Sequence, residues 1–183
     1  MITRTLLLLV VPFLFAPTPT AQTRDHLTPQ EVDLVKEAQV LDKRIDVFIK
    51  AADRRLLVLN GGATAAANAK QLKKDAALWG DLPTGSRAEL VYDIAKILDE
   101  AITNIDDVSA RDERNPLIAK SLRRLALAVN TIMEQLKPLS TTAKTDAEIA
   151  SFEMLNEDAQ SILEAANKLP PPEPDKKAKT KSN

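Results

Sequence analysis

Between Ser86 and Leu136 the apolar residues fall at alternating steps of four and three, a spacing that leaves the chain few options but helix. The stretch opens with Ser86-Arg87-Ala88-Glu89, a capping box in which the serine oxygen accepts from the third backbone N–H and the glutamate reaches back. Val91, Ala95, Leu98, Ile102 and Ile105 form one row, and Leu90, Ile94, Ile97 and Ala101 run beside it. Two adjacent rows make a stripe wide enough to need more than one neighbour. After the charged break Ser109 to Arg114, Asn115 is placed to cap a second helix and Pro116 to take its first position, where a missing N–H costs nothing. Its seam is Ile118, Leu122, Leu125, Val129, Ile132 and Leu136, and Pro138 is expected to end it. So short a connection predicts an antiparallel hairpin, which further helices must cover.

Two more seams supply that cover. Thr28-Pro29-Gln30-Glu31 is another capping box, followed by Leu34, Ala38, Leu41, Ile45, Phe48, Ala52, Leu56 and Leu59, and ended by Asn60-Gly61-Gly62. At 1.5 Å per residue this helix would be roughly 45 Å long, outreaching its partners. Its remaining face, with Asp33, Lys36, Lys43, Arg44, Asp46, Lys50, Asp53, Arg54 and Arg55, reads as solvated, with pairs such as Asp46 and Lys50. An overhanging end near Leu56 to Leu59 is then expected to present an apolar patch. Thr145-Asp146-Ala147-Glu148 opens the last helix, whose seam is Phe152, Leu155, Ala159, Ile162, Ala166 and Leu169. Ala63 to Gly85 lacks a seam. Partial helix is expected around Ala66 to Leu78, then a loop pinned by Trp79, which either packs on a core end or offers a ligand platform.

The fold class this predicts is all-α. The architecture is an up-and-down four-helix bundle with helices about 28–59, 86–110, 116–137 and 145–168, a long first helix and a long connection between helices 1 and 2. The bundle domain spans 22–169. Met1 to Arg4, the apolar run Leu6 to Phe15 and the small residues to Ala21 read as a signal peptide over 1–21, cleaved after Ala21 or, alternatively, after Ala16. The apolar run is about half the length of a membrane span, so no integral membrane segment is expected after cleavage. Residues 170–183, rich in proline and lysine, read as a disordered tail.

Composition narrows the chemistry. With 0 cysteines there is no disulfide, thiol nucleophile or Cys-linked haem, and with 1 histidine, His26 in an expected flexible lead-in, no Glu-x-x-His diiron pair. Met133 and Met154 are candidates for haem ligation, but core filling is the commoner role. The formal charge of −1, near balance, argues against nucleic acid as a partner. No nucleophile–base set is visible and no cofactor is implied, so the chain is read as not an enzyme.

One cluster stands out. Asn104, Asp106, Asp107, Asp112 and Glu113 crowd a helix C-terminus, where the macrodipole disfavours carboxylates. Asp106, Asp107, Asp112 and Glu113 are oxygen ligands of the kind Ca²⁺ takes, although the spacing is not that of an EF-hand loop. Arg111 and Arg114 offer neutralisation by local salt bridges instead. The functional expectation is an exported, periplasmic or extracellular, non-catalytic bundle acting by contact with another extracytoplasmic protein or envelope component. The alternative is a small-ligand or metal-binding bundle using the acidic turn at 104–113 and the Trp79 loop.

Overall fold

A computed structural model describes residues 24–61 and 74–171. The expected signal peptide, the stretch 62–73 and the tail from 172 onward lie outside the described residues. Among the described residues the chain is all-helical, with no strand and six helices. They are α1 (Pro29–Glu37), α2 (Leu41–Leu59), α3 (residues 74–79), α4 (Arg87–Arg111), α5 (Pro116–Ser140) and α6 (Asp146–Asn167).

The capping boxes form as the sequence spells them. Thr28, Ser86 and Thr145 each accept from the backbone N–H of Glu31, Glu89 and Glu148, whose carboxylates return to the cap. Asn115 caps α5 with its side chain on the Leu117 N–H. Pro138 does not end α5. It sits in the last turn, the helix runs on to Ser140, and the Thr141 and Thr142 hydroxyls bond its carbonyl.

The long first helix is a correction. It breaks at Ala38–Val40, where Ala38 leaves helical geometry at ψ 80° and Val40 begins α2 without a side-chain cap. No glycine or proline marks the break. Arg44 secures it, its Nε donating to the Ala38 carbonyl at 2.9 Å and its Nη1 to Asn104 on α4 at 3.0 Å.

The hairpin needs correction too. α4 and α5 run in opposite directions, but each packs chiefly on α2 and α6, and they touch one another far less. Going round the bundle the order is α2, α4, α6, α5. Ties between helix ends give the directions. Arg87 meets Glu148 at 2.7 Å near the starts of α4 and α6, which run parallel. Asp42 and Asp46 meet Lys120 and Arg124 at 2.6 Å each, and Asn60 bonds Gln135, so α2 and α5 also run parallel. The two-row stripe of α4 suits this diagonal connection, since α4 packs chiefly on two helices, α2 and α6, and the 112–115 link leads across to α5.

One core runs through the molecule, from Leu27, Ile45 and Phe48 through Ile94, Ile97 and Leu98 to Leu125, Ile132, Leu155 and Ile162. Leu56 is buried and Leu59 packs against this core, so the apolar overhang expected there is absent. Asp46 pairs with Arg124 and Lys50 with Asp75, in place of the expected pair within the helix. Among the described residues no helix is long and apolar enough to cross a membrane.

Candidate functional site

Two arginines expected on the solvated face of α2 are inside. Arg54 is 4% exposed and Arg55 1%, and between them lies Glu31, at 0%. Glu31 Oε1 accepts from Arg54 Nε at 3.1 Å and Arg55 Nη1 at 2.7 Å, while its Oε2 accepts the Thr28 N–H of the capping box at 2.9 Å. One carboxylate thus closes a helix cap and neutralises two buried guanidiniums. The break before α2 makes this possible: in a continuous helix, 24 residues of separation would place Glu31 and Arg55 roughly 36 Å apart along the axis.

The Nη2 donors of both arginines gather other segments. Arg54 Nη2 donates to the carbonyls of Trp79, Gly80 and Asp81, at 3.1, 3.3 and 2.5 Å. Trp79 is the last residue of α3 and Gly80 and Asp81 follow it, so the guanidinium sits at a helix C-terminus, where a cation is favoured by the dipole. Gly80 makes the turn with φ at +68°, and a Cβ on it would come within 2.9 Å of the Gln30 side chain. The Arg54 guanidinium also lies 5.7 Å from the centroid of the Trp79 ring, which is half-buried against the core. Trp79 therefore packs, as one of the two expected readings had it. Arg55 holds the lead-in, Nη2 donating to the His26 carbonyl at 2.6 Å, and Nη1 also meets the Ala51 carbonyl at 2.9 Å.

The lead-in is pinned along α4. Arg24 Nη2 donates to Asp93 at 2.7 Å and to the Thr84 carbonyl at 2.8 Å, and His26 Nε2 lies 2.9 Å from Glu100 Oε2. Burial pushes the Asp93 carboxyl up to about 6, against the downward pull of Arg24, Arg55 and His26. Beside it, between the lead-in and the first turns of α4 and α6, is an open cleft of about 400 Å³. A second, apolar groove of about 330 Å³ lies between the last turns of α5 and the first turns of α6, lined by Met133, Leu136, Phe152 and Leu155.

The acidic turn is arranged differently. Asp106, Asp107, Asp112 and Glu113 are all exposed. Asn104 turns away from them to bond Glu100 and Arg44, and Arg111 donates to the Asp107 carbonyl rather than to a carboxylate. Among the described residues no three His, Asp or Glu side chains are grouped to hold a metal ion. Met133 packs against the core, and Met154 is exposed on α6.

A seam through Leu56 leaves Arg54 and Arg55 on the outer face and so hides the ion cluster. Continuing the alternation of Ile45, Phe48 and Ala52 by three lands on Arg55, which the heptad places inside. A buried arginine demands a carboxylate, and Glu31 of the preceding cap was the available one. Comparison with protein-family models, with curated proteins and with solved structures finds no match.

Proposed function

We propose that this chain is an exported, non-catalytic helical protein that works by contact with another extracytoplasmic protein. The observation that carries the reading is the apolar groove between α5 and α6. Met133, Leu136, Phe152 and Leu155 line it together with the polar Glu134, Lys137 and Asn156, and Ile149, one turn before Phe152 on the same helix face, is exposed. Apolar side chains ringed by polar ones are how a contact surface is built. The buried ionisable groups support the same reading, since Glu31, Arg54 and Arg55 are engaged with each other and with backbone carbonyls, holding segments together. Export is carried by the leader-like 1–21 alone.

A photo-crosslinking residue at Asn156, in the groove lining, tests this in cells that express and export the chain. One discrete partner adduct is expected, lost in a Met133→Lys background and absent when the probe stands at Met154, on the opposite face of α6. Equal labelling from Asn156 and Met154, or an adduct indifferent to Met133→Lys, would overturn the reading. N-terminal sequencing of the recovered protein checks export, with Gln22 or Pro17 expected first.

A further inference from the structure

The cleft beside the ion cluster is built from three segments. The lead-in gives Arg24 and His26, α4 gives Glu89, Tyr92, Asp93 and Lys96, and α6 gives Ala147 and Ser151. Asp93, 2% exposed, is its most deeply buried charge. Its Oδ2 accepts from Arg24 at 2.7 Å and lies 3.7 Å from Arg55 Nε on α2. Its Oδ1 accepts no hydrogen bond from any described residue. That oxygen is not sealed off: it is open at the cleft that Asp93 lines and has capacity left to accept from a bound donor.

Among the described residues nothing else lining the cleft, the Tyr92 hydroxyl included, donates to that oxygen. Lys96 is held by Asp99 at 2.5 Å, His26 by Glu100, and Glu89 by the Ser86 cap. On α6 the Ser151 hydroxyl donates to the Ala147 carbonyl at 2.8 Å, and Ala147 has no polar side-chain atom. A further donor to Oδ1 must come from outside, and one that carries positive charge and engages a single oxygen makes the stronger bond to a carboxylate. Arg24 already occupies Oδ2, so the two-pronged fork of a second guanidinium has no second acceptor, whereas an ammonium acts as a point charge. At the mouth stands Tyr92, 41% exposed, a ring on which a cation can rest. About 400 Å³ suits a small molecule or the first residues of a peptide.

We propose that this cleft binds a primary ammonium group, of a small amine or of a peptide N-terminus, through Asp93 Oδ1 with Tyr92 at its mouth. This goes beyond the contact reading and is independent of it, since the apolar groove lies between α5 and α6. The test is an NMR titration of the ¹⁵N-labelled exported chain with glycinamide, trialaninamide and the N-acetylated form of each. Saturable shifts at the Tyr92, Asp93 and Ala147 amides are expected with a free-amine probe and not with its acetylated counterpart. Saturation by glycinamide identifies a small-amine site, and saturation by trialaninamide alone identifies capture of a peptide N-terminus. Equal response to acetylated probes, or no saturable response up to millimolar concentrations, overturns the proposal.

Asp93→Asn should abolish the response. Because that carboxylate also anchors Arg24, Ala147→Leu is the second variant: it narrows the cleft from α6, leaves every ion pair intact, and should weaken binding by roughly tenfold. Unchanged affinity in folded Ala147→Leu overturns the proposal even where Asp93→Asn fails to fold.

Discussion

The two halves of this bundle are held together by different physics. Where α5 meets α6 the contact is apolar, with Leu125, Val129, Ile132 and Leu136 against Phe152, Leu155, Ala159 and Ile162. Where the lead-in, α1, the second half of α2, the turn after α3 and the start of α4 meet, Glu31, Arg54, Arg55 and Asp93 are buried beside Leu27, Ala51 and Ala52. Apolar burial is non-directional and tolerates exchange of partners. The ion cluster is directional, and each of its bonds names a segment: Glu31 for α1, the His26 carbonyl for the lead-in, the carbonyls of 79–81 for the turn. In this half, short segments with little apolar surface of their own are held by charge.

The largest expected effect breaks that cluster. Glu31→Ala strands two buried guanidiniums and should cost about 3–5 kcal/mol. Ile132→Ala, in the apolar half, should cost a comparable amount, about 2–5 kcal/mol, by leaving a cavity. The energies are alike, so the distinction is in where protection is lost. Native-state hydrogen exchange should show α1 and the lead-in opening in Glu31→Ala while α6 stays closed, whereas Ile132→Ala should lower protection without singling out α1. If both variants give one profile, the division into two halves is wrong.

Protonation sharpens the contrast. The Asp93 carboxyl titrates at about 6 in the folded chain, above an unfolded value of about 3.9. The folded state therefore holds the extra proton between those values, and this group's contribution to stability falls as pH rises through that window. Measured as the difference between wild type and Asp93→Asn in urea unfolding, the fall should be on the order of 2 kcal/mol from pH 4 to pH 7. Glu148, tying α6 to α4, has the opposite sign. Its bond from Arg87, with the Lys144 N–H, holds it at about 2, so its contribution is present above the ordinary glutamate range and lost as pH falls towards 2. Glu148→Gln should thus cost least in acid, and a matching trend in both variants would sink the assignment of Asp93 to a desolvated site.

What the sequence made legible follows the same division. Every helix whose burial is apolar could be read, because period and caps are local: Ser86, Asn115 and Thr145 begin α4, α5 and α6 as written. The order of helices round the bundle could not be read, since seams say that a helix is covered and not by which partner. The break at Ala38–Val40 was equally silent. It lets Glu31 of α1 meet Arg54 and Arg55 in the second half of α2, and its stabiliser is Arg44, read as a surface charge. The cleft was hidden for the same reason, since Arg24 and His26 belong to a lead-in with no periodicity and reach α4 across 69 and 74 residues.

The smallest effect locates the boundary of the ionic half. Thr28, Ser86 and Thr145 make the same bond, hydroxyl oxygen from the third backbone N–H, at 3.3, 3.3 and 3.2 Å. Each should cost about 1 kcal/mol on substitution by alanine. Thr28 is the informative one. Among the described residues its hydroxyl accepts only the Glu31 N–H, while the Glu31 carboxylate is held by the Thr28 backbone N–H and the two arginines, all of which Thr28→Ala retains. Equal costs in the three variants would place the cap hydroxyl outside the ion cluster. A Thr28→Ala cost approaching that of Glu31→Ala would show that the geometry of the first turn of α1, and not the carboxylate alone, holds the buried arginines in place.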